Sequence, residues 1–132
     1  MNKLYVRIKI LSSEYTPNKI TEIVGLEADR VWNAGDLRPN TIIREPMHGW
    51  VLNSHAAENA SLMEHVSELL AKLEPAAIKI KTLSEKCDIE FSCIIYDDSV
   101  PSLFFDKAII SQICALGAAL DIDLYIDSPG AV

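Results

Sequence analysis

The sequence lacks the short motifs that identify familiar chemistries. It has no glycine-rich phosphate loop, no nucleophile elbow and no H-E-x-x-H pattern. Its three cysteines, Cys87, Cys93 and Cys114, show no C-x-x-C spacing and no adjacent histidine that would lower the pKa of a thiol. We therefore predict reduced, buried thiols that serve packing, no cofactor and no metal site. The sequence favours a protein that is not an enzyme.

Long apolar runs are also missing, and none approaches the ~20 residues of a membrane-spanning helix. Residues 1–3 lead directly into a strand pattern, so we expect no secretory signal, no membrane association and a cytoplasmic location. A hydrophobic content of 49% argues against disorder. The 132 residues predict a single domain, residues 1–132, that holds a core without disulfides.

Cations are scarce in the later part of the chain. Residues 1–50 hold 7 Lys or Arg and 6 Asp or Glu, whereas residues 51–132 hold 5 and 13, which together give the net charge of −7. This balance disfavours nucleic acid as a partner, because phosphates need cationic side chains. It favours a basic protein partner, although an acidic surface also serves solubility alone.

Alternation of apolar and polar residues predicts strands over residues 3–10, 88–96 and 120–126. The first of these has a basic outer face and the last an acidic one, so we expect the two to lie close in one sheet. Residues 49–54 are a further strand candidate. Residues 31–32 and 41–44 also look extended, within the least regular part of the sequence.

Two helices are marked by their ends. Thr16 suits an N-cap before a proline, and Gly25 ends that helix after two turns. Ser61 and Glu64 form a capping box at the start of a longer helix. Pro75 interrupts its apolar pattern, which resumes at a new angle and predicts a second, shorter helix.

The segment from residue 103 to residue 126 predicts a strand, a helix and a strand. Residues 103–105 form a short apolar run, Asp106 suits an N-cap, and Gly117 suits the left-handed position after a helix. Apolar residues lie on two stripes of this helix, so we expect it to be well covered. The last strand should have one dry face and one acidic, wet face. The polar tail, residues 128–132, should fray.

The order of elements predicts a two-layer α+β sandwich. We expect a mainly antiparallel, mixed sheet with helices packed on one face, as a ferredoxin-like variant. The sequence leaves the strand order open.

Several fragments, taken in order, also suggest a family. They are residues 20–26 after the first strand, the Gly49-Trp50-x-Leu52-x-Ser54 strand, His65 in the capped helix, Cys93-Ile-Ile-Tyr96, and residues 116–125. Together they resemble the bacterial family catalogued as domain of unknown function 4279, along nearly the whole chain. The resemblance implies a small cytosolic α+β domain, and it brings no catalytic residues.

Two carboxylates on the last strand are the clearest chemical candidates. Asp121 and Asp123 share a strand face about 7 Å apart, a spacing that could serve acid/base work or a divalent ion. The plainer interpretation is an open sheet face on which they pair with Arg7 and Lys9. The alternative function is therefore a small-molecule or metal-binding sensor, or a small enzyme, that uses Asp121 and Asp123. The same role could fall to His48 with Trp50 in a cleft.

The remaining histidines carry weaker hypotheses. His55-x-x-Glu58 could supply two metal ligands, but a site needs three or four, so we expect a solvated loop. We predict that His65 lies at the boundary of the core, and that Trp50 fills a core edge rather than stacking on a ligand.

The outward face of the sheet is the main functional hypothesis. Tyrosine offers rigid contact area with a polar tip, which suits a binding surface. We predict a non-enzymatic interaction module with a basic protein partner, as when an immunity-type protein neutralises a cationic toxin. Homodimerisation through an edge strand or this face is a further hypothesis. The predicted binding residues are Tyr5, Arg7, Lys9, Tyr96, Asp121, Asp123 and Tyr125.

Overall fold

One five-stranded sheet carries a single layer of helices in the computed structural model, which describes residues 2–127. The strands are β1 (Lys3–Ser12), β2 (Arg30–Trp32), β3 (His48–Asn53), β4 (Asp88–Asp97) and β5 (Ala119–Ile126). The helices are α1 (Pro17–Val24), α2 (Leu62–Leu73), α3 (Ala77–Leu83) and α4 (Lys107–Ala115), with a 3₁₀ turn (Glu74–Ala76) between α2 and α3. The predicted polar tail, residues 128–132, lies outside the described residues.

The strand order is β2-β3-β1-β4-β5, with β4 and β5 parallel and the other neighbours antiparallel. Strands β1 and β2 are therefore parallel to each other and have β3 between them. Strands β3 and β4 are likewise parallel to each other and have β1 between them. This interleaved pair of βαβ units is the ferredoxin-like arrangement, to which α4 and β5 add one parallel strand. The predicted two-layer α+β fold with a mixed sheet is confirmed.

The first and last strands lie in one sheet, as expected, but they are not neighbours. Strand β4 separates them, because α4 carries the chain from β4 to the outer side of that strand. The basic face of β1 and the acidic face of β5 are therefore separated by the width of β4.

The core lies between the sheet and the helices. From the sheet it takes fully buried side chains such as Ile8, Trp50 and Phe91, and from the helices Ile20 and Leu69. Local signals set the helix ends as predicted. At the start of α1 the Thr16 hydroxyl accepts a backbone N–H of the first turn, and Gly25, with a φ of 78°, ends this helix. At the start of α2, Ser61 and Glu64 form the capping box, in which each side chain accepts the backbone N–H of the other residue.

The expected strand at residues 103–105 is absent, and these residues form an irregular connection. The strand that precedes them, β4, is already paired on both sides, by β1 and β5. The rest of this segment follows its prediction. The Asp106 carboxylate accepts the N–H of Ile109 at 2.9 Å, and Gly117 has a φ of 69°.

The C-terminal flank is less covered than the sequence suggested. On α4 the second apolar stripe faces solvent, and Ile110 in this stripe is 53% exposed. On β5 the apolar side chains are also partly exposed, by 38–41% at Leu120, Leu124 and Ile126. The nine residues of α4 span about 14 Å, whereas the eight of β5 span about 26 Å at the sheet edge, so one helix cannot cover the strand. Cys114 is likewise exposed, although Cys87 and Cys93 are buried as predicted.

Residues 33–47 form an irregular connecting segment between β2 and β3. A single bridge joins Leu37 to Arg44, and residues 41–42 are bends rather than part of the extended piece that we expected over residues 41–44. The Arg44 guanidinium donates to the Gly35 carbonyl at 2.8 Å, so the segment is braced by its own side chains. No helix in residues 2–127 is both long and apolar enough to cross a bilayer.

Candidate functional site

The sheet face opposite the helices, called the open face below, gathers all seven predicted binding residues. Directly opposite residues on neighbouring strands share a face. The register places Arg7 opposite Ser92, and Ser92 opposite Asp121, and it pairs Tyr96 with Tyr125. Side chains at every second position of β1, β4 and β5 therefore point the same way. The predicted members on this face are Tyr5, Arg7, Lys9, Tyr96, Asp121, Asp123 and Tyr125.

Three tyrosines form a continuous row across β1, β4 and β5. The rings of Tyr96 and Tyr125 stack at 4.8 Å with a 15° angle, and Tyr5 meets the edge of Tyr96 at 6.3 Å and 88°. Each ring is about half exposed. Offset-stacked and edge-to-face pairs fix ring orientation and add about 0.5–1.5 kcal/mol each beyond the area buried. The row is therefore a rigid, partly apolar surface with hydroxyl tips.

The two aspartates lie beside this row but not in the predicted ion pairs. Two strand spacings, about 10 Å, separate the backbones of Arg7 and Asp121, since β4 runs between them. Lys9 instead approaches Glu90 at 3.8 Å. Within residues 2–127, neither Asp121 nor Asp123 has a cation within 4.0 Å, so the pairing that we expected is wrong.

Metal and thiol chemistry find little support near these carboxylates. In the described part of the chain, no group of three or more His, Cys, Asp or Glu side chains is arranged to hold a metal ion. Burial, together with the smaller effect of the nearby Asp121 charge, raises the pKa of the Cys93 thiol to about 12. This thiol therefore stays protonated at neutral pH and packs as a small apolar group.

His65 is more buried than a boundary position, at 6% exposure. Its Nδ1 lies 2.7 Å from the Ser54 hydroxyl, whereas its Nε2 is buried and has no hydrogen-bond partner among the described residues. A serine–histidine pair of this kind has no carboxylate to orient the ring, so it lacks the third member of a nucleophilic triad. The pair joins the end of β3 to α2.

His55 occupies the predicted loop, but its partners are not Glu58. Its Nε2 lies 3.1 Å from the Asp29 carboxylate, and Lys72 donates to its Nδ1 at 2.6 Å. Its backbone N–H donates to Glu68 at 2.9 Å. Both ring nitrogens are therefore occupied, and the cluster ties the start of β2 to α2 instead of presenting a metal ligand.

The proposed cleft of His48 and Trp50 does not form. Trp50 packs in the core, as predicted, but it is fully buried rather than at the core edge, and its indole N–H donates to the Thr21 hydroxyl at 2.9 Å. His48 accepts the N–H of Ala34 at 3.1 Å through Nδ1. Neither ring is arranged to hold a ligand with the other.

The open face is divided by charge, which sequence reasoning missed. The half formed by β4 and β5 carries Asp121 and Asp123. The half formed by β1, β2 and β3 carries cations, because Arg30 from β2 and Arg38 from the connecting segment lie there, beside Trp32. The position of Arg38 could not be predicted, because the sequence of the connecting segment follows neither a helical nor a strand period. One signal was present: Gly49 begins the strand candidate of residues 49–54, and a glycine in a strand often marks a close approach by another group.

Comparison with known proteins identifies the family of this chain but finds no relative of known activity. No curated protein and no solved structure shows significant similarity to the chain. A family model described as "Domain of unknown function (DUF4279)" matches residues 2–127, and the chain therefore belongs to this family.

Proposed function

We propose that this protein is a cytosolic, non-enzymatic interaction module that binds a basic protein partner on the β4–β5 side of its open face. The observation that carries the proposal is the rigid row of Tyr5, Tyr96 and Tyr125 beside the unpaired carboxylates of Asp121 and Asp123. Tyrosine-rich patches are typical of protein interfaces, because each ring adds contact area at a small cost in conformational entropy.

The edge of β5 extends this surface. The strand lies at one end of the sheet, so one side of its backbone is free to pair with another strand. On its helix side, Leu120, Leu124 and Ile126 are partly exposed, and on its open side lie the two aspartates. A partner strand that alternates apolar and basic residues would match both sides while pairing with the backbone.

Charge selects the class of partner. Residues 51–132 carry 13 acidic and 5 basic residues, and the carboxylates of Asp121 and Asp123 have no cation within the described chain to neutralise them. A basic partner would gain both steering at long range and ion pairs at contact, and its association rate would fall as salt screens the charges. The three free thiols are consistent with a reducing compartment such as the cytosol.

Site-specific photo-crosslinking tests this proposal. A photoreactive phenylalanine analogue replaces Tyr125 in the full chain, and a matched chain carries it at Ile78, which is 84% exposed on α3 in the helical layer. We expect the Tyr125 position to capture a protein of basic composition. The same capture should weaken when Asp121→Asn and Asp123→Asn are added.

Three outcomes would contradict the proposal. They are equal capture from position 78, capture of an acidic or neutral protein that is indifferent to the aspartate changes, and capture of a second copy of this chain alone. The last result would instead support homodimerisation through the same edge.

A further inference from the structure

A second surface lies on the other half of the open face. A cleft of about 300 Å³ opens between strands β1–β3 and the connecting segment, with the buried Val51 at its floor. Its charged and aromatic lining consists of Arg7, Lys9, Arg30, Trp32, Arg38 and Glu45. Four cations therefore face one carboxylate, in a chain that has 12 cations in all and a net charge of −7. This is a concentrated positive site on an acidic protein.

Two of the guanidinium groups are not neutralised by the protein. Lys9 approaches Glu90 at 3.8 Å, and Arg38 binds Glu45 at 2.8 Å. Within residues 2–127, Arg7 and Arg30 have no carboxylate within 4.0 Å. Guanidinium groups bind phosphate and carboxylate through paired N–H donors, so two free ones in a concave site favour an anionic ligand.

The wall formed by β2 is held in place before any ligand arrives. The Trp32 ring packs against the backbone of Gly49, and its Nε1–H donates to the Met47 carbonyl at 3.0 Å. The Arg30 guanidinium lies 4.7 Å from the ring centroid, a cation–π distance. Because the indole is fixed, Arg30 is held over it with its N–H groups free to bind.

The opposite wall is also braced. The Glu45 side chain, which is only 13% exposed, holds Arg38 through the Nε–H. Backbone hydrogen bonds from Arg38 to Ile43 and from Glu45 to Asp36, at 2.8 and 2.7 Å, fix the segment that carries both. A fixed guanidinium loses less conformational entropy on binding than a free one.

We propose that this cleft binds a small molecule through a phosphate dianion, which Arg7 contacts from the sheet and Arg30 and Arg38 contact from the two walls. Three guanidinium groups from different directions match the three terminal oxygens of a phosphate better than the two of a carboxylate. The volume lies at the lower end of small-molecule pockets, and the acidic surroundings repel an extended polyanion. The site is separate from the partner surface proposed above, so either can fail alone.

Ligand-linked stabilisation and NMR of the full chain test the site. Inorganic phosphate and pyrophosphate are titrated in a low-salt buffer without phosphate, with succinate as a dicarboxylate comparison. We expect a melting temperature that rises with the logarithm of phosphate concentration, and a shift of the Trp32 indole N–H resonance. Succinate should bind more weakly than either phosphate probe.

Variants locate the binding. Arg7→Gln and Arg30→Gln should each weaken phosphate binding by about tenfold, the size of one lost charge-assisted contact. Lys107→Gln, which removes an equal charge at the start of α4, should leave it unchanged. The variant Arg7→Lys keeps the charge without the paired donors and should lie between wild type and Arg7→Gln, which separates recognition from a folding defect.

The proposal is overturned if neither phosphate probe shifts the melting temperature or the Trp32 resonance. It is also overturned if Lys107→Gln weakens binding as much as the arginine variants do, or if succinate binds as tightly as phosphate.

Discussion

Gly49 lies directly beneath the indole of Trp32, the residue opposite it on the neighbouring strand. A Cβ at position 49 would sit 2.1 Å from two ring atoms, far inside van der Waals contact. The glycine is therefore a steric requirement of the ring position, and the ring in turn supports Arg30 at the cleft.

The first prediction concerns this pair. Gly49→Ala should lower the free energy of unfolding by about 1–3 kcal/mol, because the ring or the strand must move to admit the methyl group. The measurement is urea unfolding, with the Trp32 indole resonance reporting displacement of the ring.

The control for that prediction is a double-mutant cycle. In a Trp32→Ala background the same alanine at position 49 meets no ring, so its cost should fall close to zero. An equal cost in both backgrounds would show that the contact with Trp32 is not what excludes a side chain.

The second prediction concerns the tyrosine row. Tyr96 contacts both of the other rings, so Tyr96→Leu should lower the free energy of unfolding by about 1 kcal/mol, from two aromatic contacts at a half-exposed site. Ile78→Ala, at an exposed position outside the row, should change stability by less than about 0.5 kcal/mol. If the tyrosine change is as silent as the control, the row is not held together by its ring contacts.

The third prediction concerns pH. The Ser61 backbone N–H donates to the Glu64 carboxylate at 3.0 Å, and this bond, with a further contribution from the Ser61 side chain, lowers the pKa of Glu64 below its ordinary value of 4.5. A carboxyl whose pKa is lower in the folded state stabilises the fold above its unfolded pKa, and that contribution is lost as pH falls through the folded pKa. The urea midpoint of the wild type should therefore fall more steeply below about pH 4.5 than that of Glu64→Gln. Parallel pH profiles for the two chains would be inconsistent with this cap.

The fourth prediction separates the thiols. Burial raises the pKa of Cys93 to about 12 and also raises that of Cys87, so both should resist alkylation at pH 8, whereas the exposed Cys114 should react. Mass spectrometry should find one modified site in the native chain and three after unfolding. Cys114→Ser should abolish the native reaction, and modification of Cys93 in the folded protein would contradict the burial described here.

The sequence predicted those parts of the structure that depend on local pattern. Period-two alternation placed Tyr5, Tyr96 and Tyr125 on one face, and that prediction depended on no knowledge of which strands pair. The strand order β1-β4-β5 could not be predicted from the sequence, because local periodicity does not show which distant strands pair with each other. For that reason the sequence predicts Arg7 and Lys9 beside Asp121 and Asp123, whereas the structure places Arg7 and Lys9 in the lining of the cleft.

Two other features of the structure could not be predicted from the sequence: how well the helices cover the sheet, and the conformation of the irregular connecting segment. Two apolar stripes on α4 indicated burial, but no local feature shows that the helix is too short to cover an edge strand, and so Ile110 and Leu120 are exposed. The cleft depends on the connecting segment, whose Arg38 and Glu45 follow no helical or strand period. Only Gly49, a glycine within a strand, pointed towards the close packing beside it.

The most direct test of the partner surface is the affinity of the purified chain for the basic protein captured at Tyr125. We compare wild type, the Asp121→Asn/Asp123→Asn pair and, as a matched loss of two charges on the helical side, the Glu22→Gln/Glu85→Gln pair, at low and at physiological salt. The aspartate pair should bind about tenfold more weakly and lose part of the salt dependence, while the glutamate pair should bind like wild type. Unchanged binding by the aspartate pair, or an equal loss in the glutamate pair, would contradict the assignment of this face.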